Sequence, residues 1–196
     1  MNFAAVLFVG GESRRMGTDK ATLFFENEPL WQRQLATLKK TLPEKILISA
    51  RTKPIWCPPD LATVLDVSPT RGPLSGLAAA LKETTTTHLL ILAVDMPLMT
   101  ATHLNWLKTH AVLGSGVVPK VQNYSEPLCA IYPAEACELA HAQLQTNDFS
   151  LTTFVKKLRE QNRLLELEIP AADELVYSNA NTPAAFSSIA ANANVA

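Results

Sequence analysis

The segment Gly10-Gly11-Glu12-Ser13-Arg14-Arg15-Met16-Gly17-Thr18-Asp19-Lys20 sets a pair of adjacent glycines beside the cations Arg14, Arg15 and Lys20. Adjacent glycines let a backbone turn sharply and bring its N–H groups against a ligand. Guanidinium and ammonium groups next to such donors suit a polyphosphate. The spacing excludes two better-known phosphate loops. A Walker A loop needs Gly-x-x-x-x-Gly-Lys-Ser/Thr, whereas here the step from Gly11 to Gly17 is too long and Thr18-Asp19 separates Gly17 from Lys20. A dinucleotide fingerprint needs Gly-x-Gly-x-x-Gly, which Gly10-Gly11-Glu12 breaks.

A second element is Leu92-Ala93-Val94-Asp95-Met96-Pro97, in which an acid directly follows an apolar run. If the run is a buried strand, Asp95 lies at the carboxyl edge of the sheet, where ligands of open α/β sheets bind. A carboxylate there is placed to hold Mg²⁺, with capping of a following helix as its competing role. A third element, Arg71-Gly72-Pro73-Leu74-Ser75-Gly76-Leu77, reads as a rigid turn into a helix. The fourth, Asn179-Ala180-Asn181-Thr182-Pro183, offers amide groups before a proline.

The elements that must carry these residues follow from apolar periodicity. Residues 4–9 form a near-continuous apolar run, as expected of a strand covered on both faces. Residues 45–49, Ala62–Leu65, 89–94, 117–118, 128–132 and 164–169 read as further strands. Residues 29–42 carry Trp31, Leu35, Leu38 and Leu42 on one helical face. Residues 74–81, 101–112 and 134–144 also read as helices, as does the stretch Leu151, Phe154, Val155, Leu158 with Ser150 as its N-cap. Residues 84–87, all threonine, read as a loop entering a strand. Strands alternating with helices predict a three-layer, Rossmann-like α/β fold, a mostly parallel sheet flanked by helices. No Pro/Gly/Ser-rich linker divides residues 1–196, so a single domain is expected, with 187–196 fraying at its end.

Bulk properties narrow the partners. Apolar residues make up 47% and charged residues 18%, which excludes a disordered chain. A net charge of −1 argues against nucleic acid as the main partner. Cys57, Cys129 and Cys137 form no pair with metal-ligand spacing and read as small apolar residues in a reducing compartment. His88, His103, His110 and His141 match no zinc pattern. The apolar start lacks a basic segment and is too short to span a membrane, so a cytoplasmic protein with no membrane partner is expected.

Taken together, the four elements resemble the molybdenum cofactor guanylyltransferases. The resemblance also runs through Pro29-Leu30-Trp31 and Pro127-Leu128-Cys129-Ala130-Ile131-Tyr132. It implies a fold of the nucleotide-diphospho-sugar transferase type. It also implies transfer of GMP from GTP to molybdopterin carrying molybdenum, with release of pyrophosphate and Mg²⁺ as cofactor. The family's nucleotide contacts fall on Phe8, Val9, Gly10, Gly11, Lys20, Ser49, Asp66 and Asp95, with Asp95 the metal ligand. Arg15, Lys20 and Asp95 are the implied catalytic residues. Phe8-Val9 stands where members generally have Leu-Ala, and Ser49 where an asparagine is often found. Asn179 and Asn181, with Glu126 and Lys120, are candidates for the acceptor side. Cofactor-insertion proteins and molybdoenzyme chaperones would receive the product.

Other functions fit the same elements. A molybdopterin cytidylyltransferase or a sugar-1-phosphate guanylyltransferase would keep the glycine loop and the acid. A non-catalytic carrier of nucleotide or cofactor would keep the loop without needing turnover.

Overall fold

The computed structural model describes residues 1–10, 19–67 and 71–180. The apolar run at the start forms β1 (Phe3–Phe8), every residue of which is buried. A small hairpin, β2 (Phe24–Phe25) and β3 (Glu28–Pro29), leads into α1 (Leu30–Lys39). There follow β4 (Ile46–Ala50), β5 (Ala62–Leu65), α2 (Pro73–Lys82), β6 (His88–Ala93) and α3 (Ala101–Lys108). The rest comprises β7 (Gly116–Val121), β8 (Tyr124–Ser125), β9 (Ile131–Pro133), α4 (Ala136–Leu144), α5 (Leu151–Glu160) and β10 (Leu164–Glu168).

Among the described residues the main sheet has the order β10-β7-β9-β6-β1-β4-β5, with β8 paired to β7. The pairs β1–β4, β1–β6, β4–β5 and β7–β10 are parallel, and β9 runs antiparallel between β6 and β7. Alternation along β1 shows why its sequence is apolar throughout. Phe3, Ala5 and Leu7 pack with Leu35 and Leu38 of α1 and Leu104 and Leu107 of α3. Ala4, Val6 and Phe8 pack on the other face with Leu77 of α2, Ala140 of α4 and Phe154 of α5. Burying both faces of the central strand contributes apolar stabilisation to both sides of this three-layer arrangement.

Several expected boundaries shift, among them the end of the helix expected over 101–112, which stops at Lys108. Helix α1 stops before the last member of its apolar pattern, and Leu42 is 84% exposed with φ 58°. Thr41 Oγ1 donates to Leu38 O at 2.7 Å, and Pro43 disfavours helical backbone at Leu42. Strand β9 starts later than expected, yet Ala93 N and Ile91 N still donate to Leu128 O and Ala130 O, each at 2.8 Å. The Ser150 cap is present, accepting from Thr153 N. Thr86, in the threonine run, accepts from Ala4 N at 2.8 Å and so fixes the start of β1.

Near the C-terminus a 3-10 helix (Ala171–Tyr177) docks on α3, where Tyr177 Oη lies 2.7 Å from His103 Nε2. Burial holds the His103 pKa below its ordinary 6.5, with the Asp173 carboxylate pushing the other way. The native state therefore resists the proton that the unfolded chain accepts. Stability should fall as pH drops below about 6.5 and level off once the lowered native pKa is passed. Thermal melts of His103→Gln between pH 7 and 5 should show a shallower decline than the wild type.

Candidate active site

The carboxyl edge of the sheet gathers several of the residues singled out above, among them Gly10, Lys20, Ser49, Asp66 and Asp95. β1 lies between β4 and β6, so the chain's crossovers diverge here and leave a crevice. Val9 N donates to Ser49 O at 3.0 Å, Val94 N to Phe8 O at 2.9 Å and Asp66 N to Ala50 O at 3.2 Å. The residues that follow these strands thus leave the edge side by side.

At one end of the crevice Lys20 Nζ lies 3.2 Å from Asp95 Oδ2, with both side chains about four-fifths buried. Lys20 opens a short 3-10 helix (Lys20–Thr22) that Asp19 caps by accepting from Ala21 N at 3.0 Å. The other oxygen of Asp19 accepts from Trp56 Nε1 at 3.0 Å, and Trp56 stacks on Trp31 with ring centroids 4.8 Å apart. Asp95 is held through its backbone: its carbonyl accepts from Ala180 N at 2.8 Å. The turn after it is held by α1, where Arg33 Nε donates to Pro97 O at 2.8 Å and Gln34 Nε2 donates to Met96 O. Trp56, Arg33 and Gln34 carried no sequence signal for this role, because each acts on a residue distant along the chain, and Asp19, though it stands within the glycine-loop segment, meets Trp56 only through the fold.

Among the described residues no group of three or more His, Cys, Asp or Glu side chains could hold a metal ion. Asp95 fits Mg²⁺ in another way, as a lone carboxylate whose ion would be completed by substrate phosphate oxygens and water. Glu126 stands near enough for the Asp95 charge to act on it, and burial first, then that charge, pushes its pKa up to about 7. It lines a groove of about 420 Å³ with Gln122, Tyr124, Leu175 and Tyr177.

The other end of the crevice is a pocket of about 150 Å³ lined by Phe8, Gly10, Ser49, Arg51, Asp66 and Gly72 among others. Burial raises the Asp66 pKa above its usual value and the Arg51 charge opposes the shift. Gly72 has φ 67°, a conformation that favours glycine, and Pro73 opens α2 immediately after it. Gly76 is packed hard against the pocket: a Cβ there would lie 2.6 Å from Ser49 Oγ and 3.0 Å from Asp66 Oδ1. Gly10 needs no positive φ, and an added Cβ would meet only ordinary contacts at 3.6 Å.

The structure thus brings Phe8, Val9, Gly10, Lys20, Ser49, Asp66 and Asp95 to one sheet edge. Gly11, Arg15 and Asn181 lie outside the described residues. Asn179 Nδ2 reaches Tyr177 O at 3.4 Å, a local contact, while its neighbour Ala180 holds Asp95. Lys120 pairs with Glu168 at 2.7 Å and lines a different groove from Glu126. Among the described residues no helix is long and apolar enough to cross a membrane.

Residues 5–162 match the model of the MobA-like NTP transferase domain. A probable molybdenum cofactor guanylyltransferase from Opitutus terrae is 34% identical over 183 residues, covering 92% of this chain and 91% of its own. In solved structures, the molybdopterin-guanine dinucleotide biosynthesis protein A of Archaeoglobus fulgidus matches with a TM-score of 0.73 at 20% identity, covering 98% of this chain and all of that one. The 2-C-methyl-D-erythritol 4-phosphate cytidylyltransferase of Thermus thermophilus matches with a TM-score of 0.70 at 14% identity, covering 99% and 100%. At these identities the structural likenesses establish the fold, the nucleotide-diphospho-sugar transferase type, and leave the base unspecified.

Proposed function

Because the chain belongs to the MobA-like NTP transferase domain family, we propose that it transfers GMP from GTP to molybdopterin carrying molybdenum, releasing pyrophosphate and forming the guanine dinucleotide cofactor. The observation that carries this reading is a paired cation and carboxylate, Lys20 and Asp95 at 3.2 Å, on the same sheet edge as a pocket walled by Asp66 and Ser49. The first suits a triphosphate and the second a base.

In the reaction, a phosphate oxygen of the acceptor attacks the α-phosphorus of GTP. The new P–O bond forms as the bond to the bridging oxygen of pyrophosphate breaks. Both reactants are anions, so the site must first neutralise charge. Lys20 and Arg15 do so along the triphosphate and on the leaving group. Asp95 would hold Mg²⁺, which when bound stabilises charge on the phosphate oxygens. Backbone groups of Phe8, Val9, Gly10 and Gly11 cradle the nucleotide, and Ser49 and Asp66 receive the base. Asp66 accepts from guanine N1–H and the 2-amino group, which adenine cannot match. No side chain need act as nucleophile, since alignment of the reactants supplies much of the acceleration. Asn179, Asn181 and Glu126 belong to the acceptor side. On this reading residues 1–196 form one domain working in the cytoplasm, and the product passes to cofactor-insertion proteins or molybdoenzyme chaperones.

Turnover with molybdopterin and each of the four nucleoside triphosphates tests the proposal. Pyrophosphate release should be fastest with GTP. Preference for CTP would move the chain to the cytidylyl reaction, and release with none would leave a carrier. Lys20→Ala should weaken GTP binding by about tenfold or more, the worth of a charged hydrogen bond. Unchanged affinity by calorimetry would remove Lys20 from the triphosphate site.

A further inference from the structure

Arg51 and Asp66 are adjacent register positions at the carboxyl edge. In the parallel β4–β5 pair Ala50 lies opposite Leu65, so Arg51 and Asp66 are the next residues along. The bond from Asp66 N to Ala50 O, at 3.2 Å, carries the alignment past the ends of the strands. Both residues line the 150 Å³ pocket, Arg51 from its exposed rim and Asp66 from a half-buried position. Each is close enough that the Arg51 charge acts on the Asp66 carboxyl.

Around the edge of guanine the groups run from the 2-amino donor and the N1–H donor to the O6 and N7 acceptors. An ionised carboxylate offers only acceptors and satisfies the first two. The two acceptors that remain lie on the side next to N1. A guanidinium, with parallel N–H donors in a rigid fork, is the side chain that matches O6 and N7 together. Resting on the reading of this pocket as the GTP base site, we propose that Arg51 is a specificity-determining residue that donates to guanine O6 and N7 beside Asp66. Adenine would turn its 6-amino donor towards the guanidinium and offer Asp66 no N1–H, so the pair opposes adenine at both positions. Arg51 stands outside the motifs that carry the family resemblance, and the pocket alone brings it into view.

The test is calorimetry of wild type and Arg51→Ala with GTP, 7-deaza-GTP, which lacks the N7 acceptor, and ITP, which lacks the 2-amino group. The wild type should bind 7-deaza-GTP about tenfold more weakly than GTP, and Arg51→Ala should lower GTP affinity by about tenfold or more. In Arg51→Ala the difference between GTP and 7-deaza-GTP should vanish while the penalty for ITP persists. Persistence of the 7-deaza penalty in the variant, or its absence from the wild type, would overturn the role of Arg51 while a wild-type preference for GTP left the base site standing. A wild type that fails to prefer GTP over CTP and ATP would instead remove the base site itself, and Arg51 with it. The exposed position of Arg51 makes a folding defect easy to recognise: the melting temperature should match the wild type.

Discussion

Asp95→Ala is expected to lower pyrophosphate release by about a hundred- to a thousandfold, the scale of losing a principal charge stabiliser at a reacting centre. The same substitution should leave the melting temperature within a few degrees of the wild type. The structural role of Asp95 lies in its backbone, whose carbonyl accepts from Ala180 N at 2.8 Å, and alanine keeps that bond. The turn that follows is held by Arg33 and Gln34 through the carbonyls of Pro97 and Met96, again without the carboxylate. What alanine removes is the partner of Lys20 and the proposed Mg²⁺ ligand. Both partners are about four-fifths buried yet still reached by water, so losing the pair should cost about 1–2 kcal/mol, between an exposed pair and a fully buried one. Assayed with Mg²⁺, GTP and molybdopterin, a variant within tenfold of the wild type would end the assignment of Asp95 as the metal carboxylate. Restoration by Asp95→Glu of part of the turnover would agree with a carboxylate whose reach, rather than its mere presence, matters.

What could be read along the chain, and what could not, divides by distance in sequence. The strand 4–9, the Ser150 cap and the acid after 89–94 are local patterns, and each corresponds to an element or turn of the structure. The antiparallel insertion of β9 between β6 and β7 left no such pattern, because an apolar run covered on both faces reads alike in either direction. Leu42 was misplaced by periodicity, since a proline in the next position decides its backbone before its apolar character can. Within the site, Lys20 and Asp95 were recognisable singly, but their contact joins residues 75 positions apart. The clamp of Asp19 on Trp56, the grip of Gln34 on the Asp95 turn and the placing of Arg51 beside Asp66 arise only from the sheet register and helix packing. Gly76 is the sharpest instance, because its sequence neighbours explain a turn into a helix and say nothing of what faces its Cα.

Gly76→Ala should accordingly separate binding from folding. Gly76 lies within α2, where alanine is favoured over glycine by about 1 kcal/mol. The added methyl would meet Ser49 Oγ at 2.6 Å, Asp66 Oδ1 at 3.0 Å and Phe8 Cε1 at 3.0 Å. Overpacking of this kind costs about 1–3 kcal/mol, so the net loss is at most about 2 kcal/mol and the melting temperature should fall by only a few degrees. The displaced groups are not equally free. Phe8 is 5% exposed and belongs to the core around Leu77 and Val6, whereas Asp66 is half-buried at the rim of the pocket and can swing outward. Relief therefore falls on Asp66, and on the buried Ser49 hydroxyl, the two groups proposed to receive the base. GTP affinity should drop by about tenfold or more, as a displacement costing over 1.4 kcal/mol would require. The preference for GTP over ITP should shrink with it, because a carboxylate turned away from the pocket no longer meets the 2-amino group. A variant that melts like the wild type, binds GTP as tightly and keeps the full ITP penalty would show that neither Asp66 nor Ser49 reads the base from this wall.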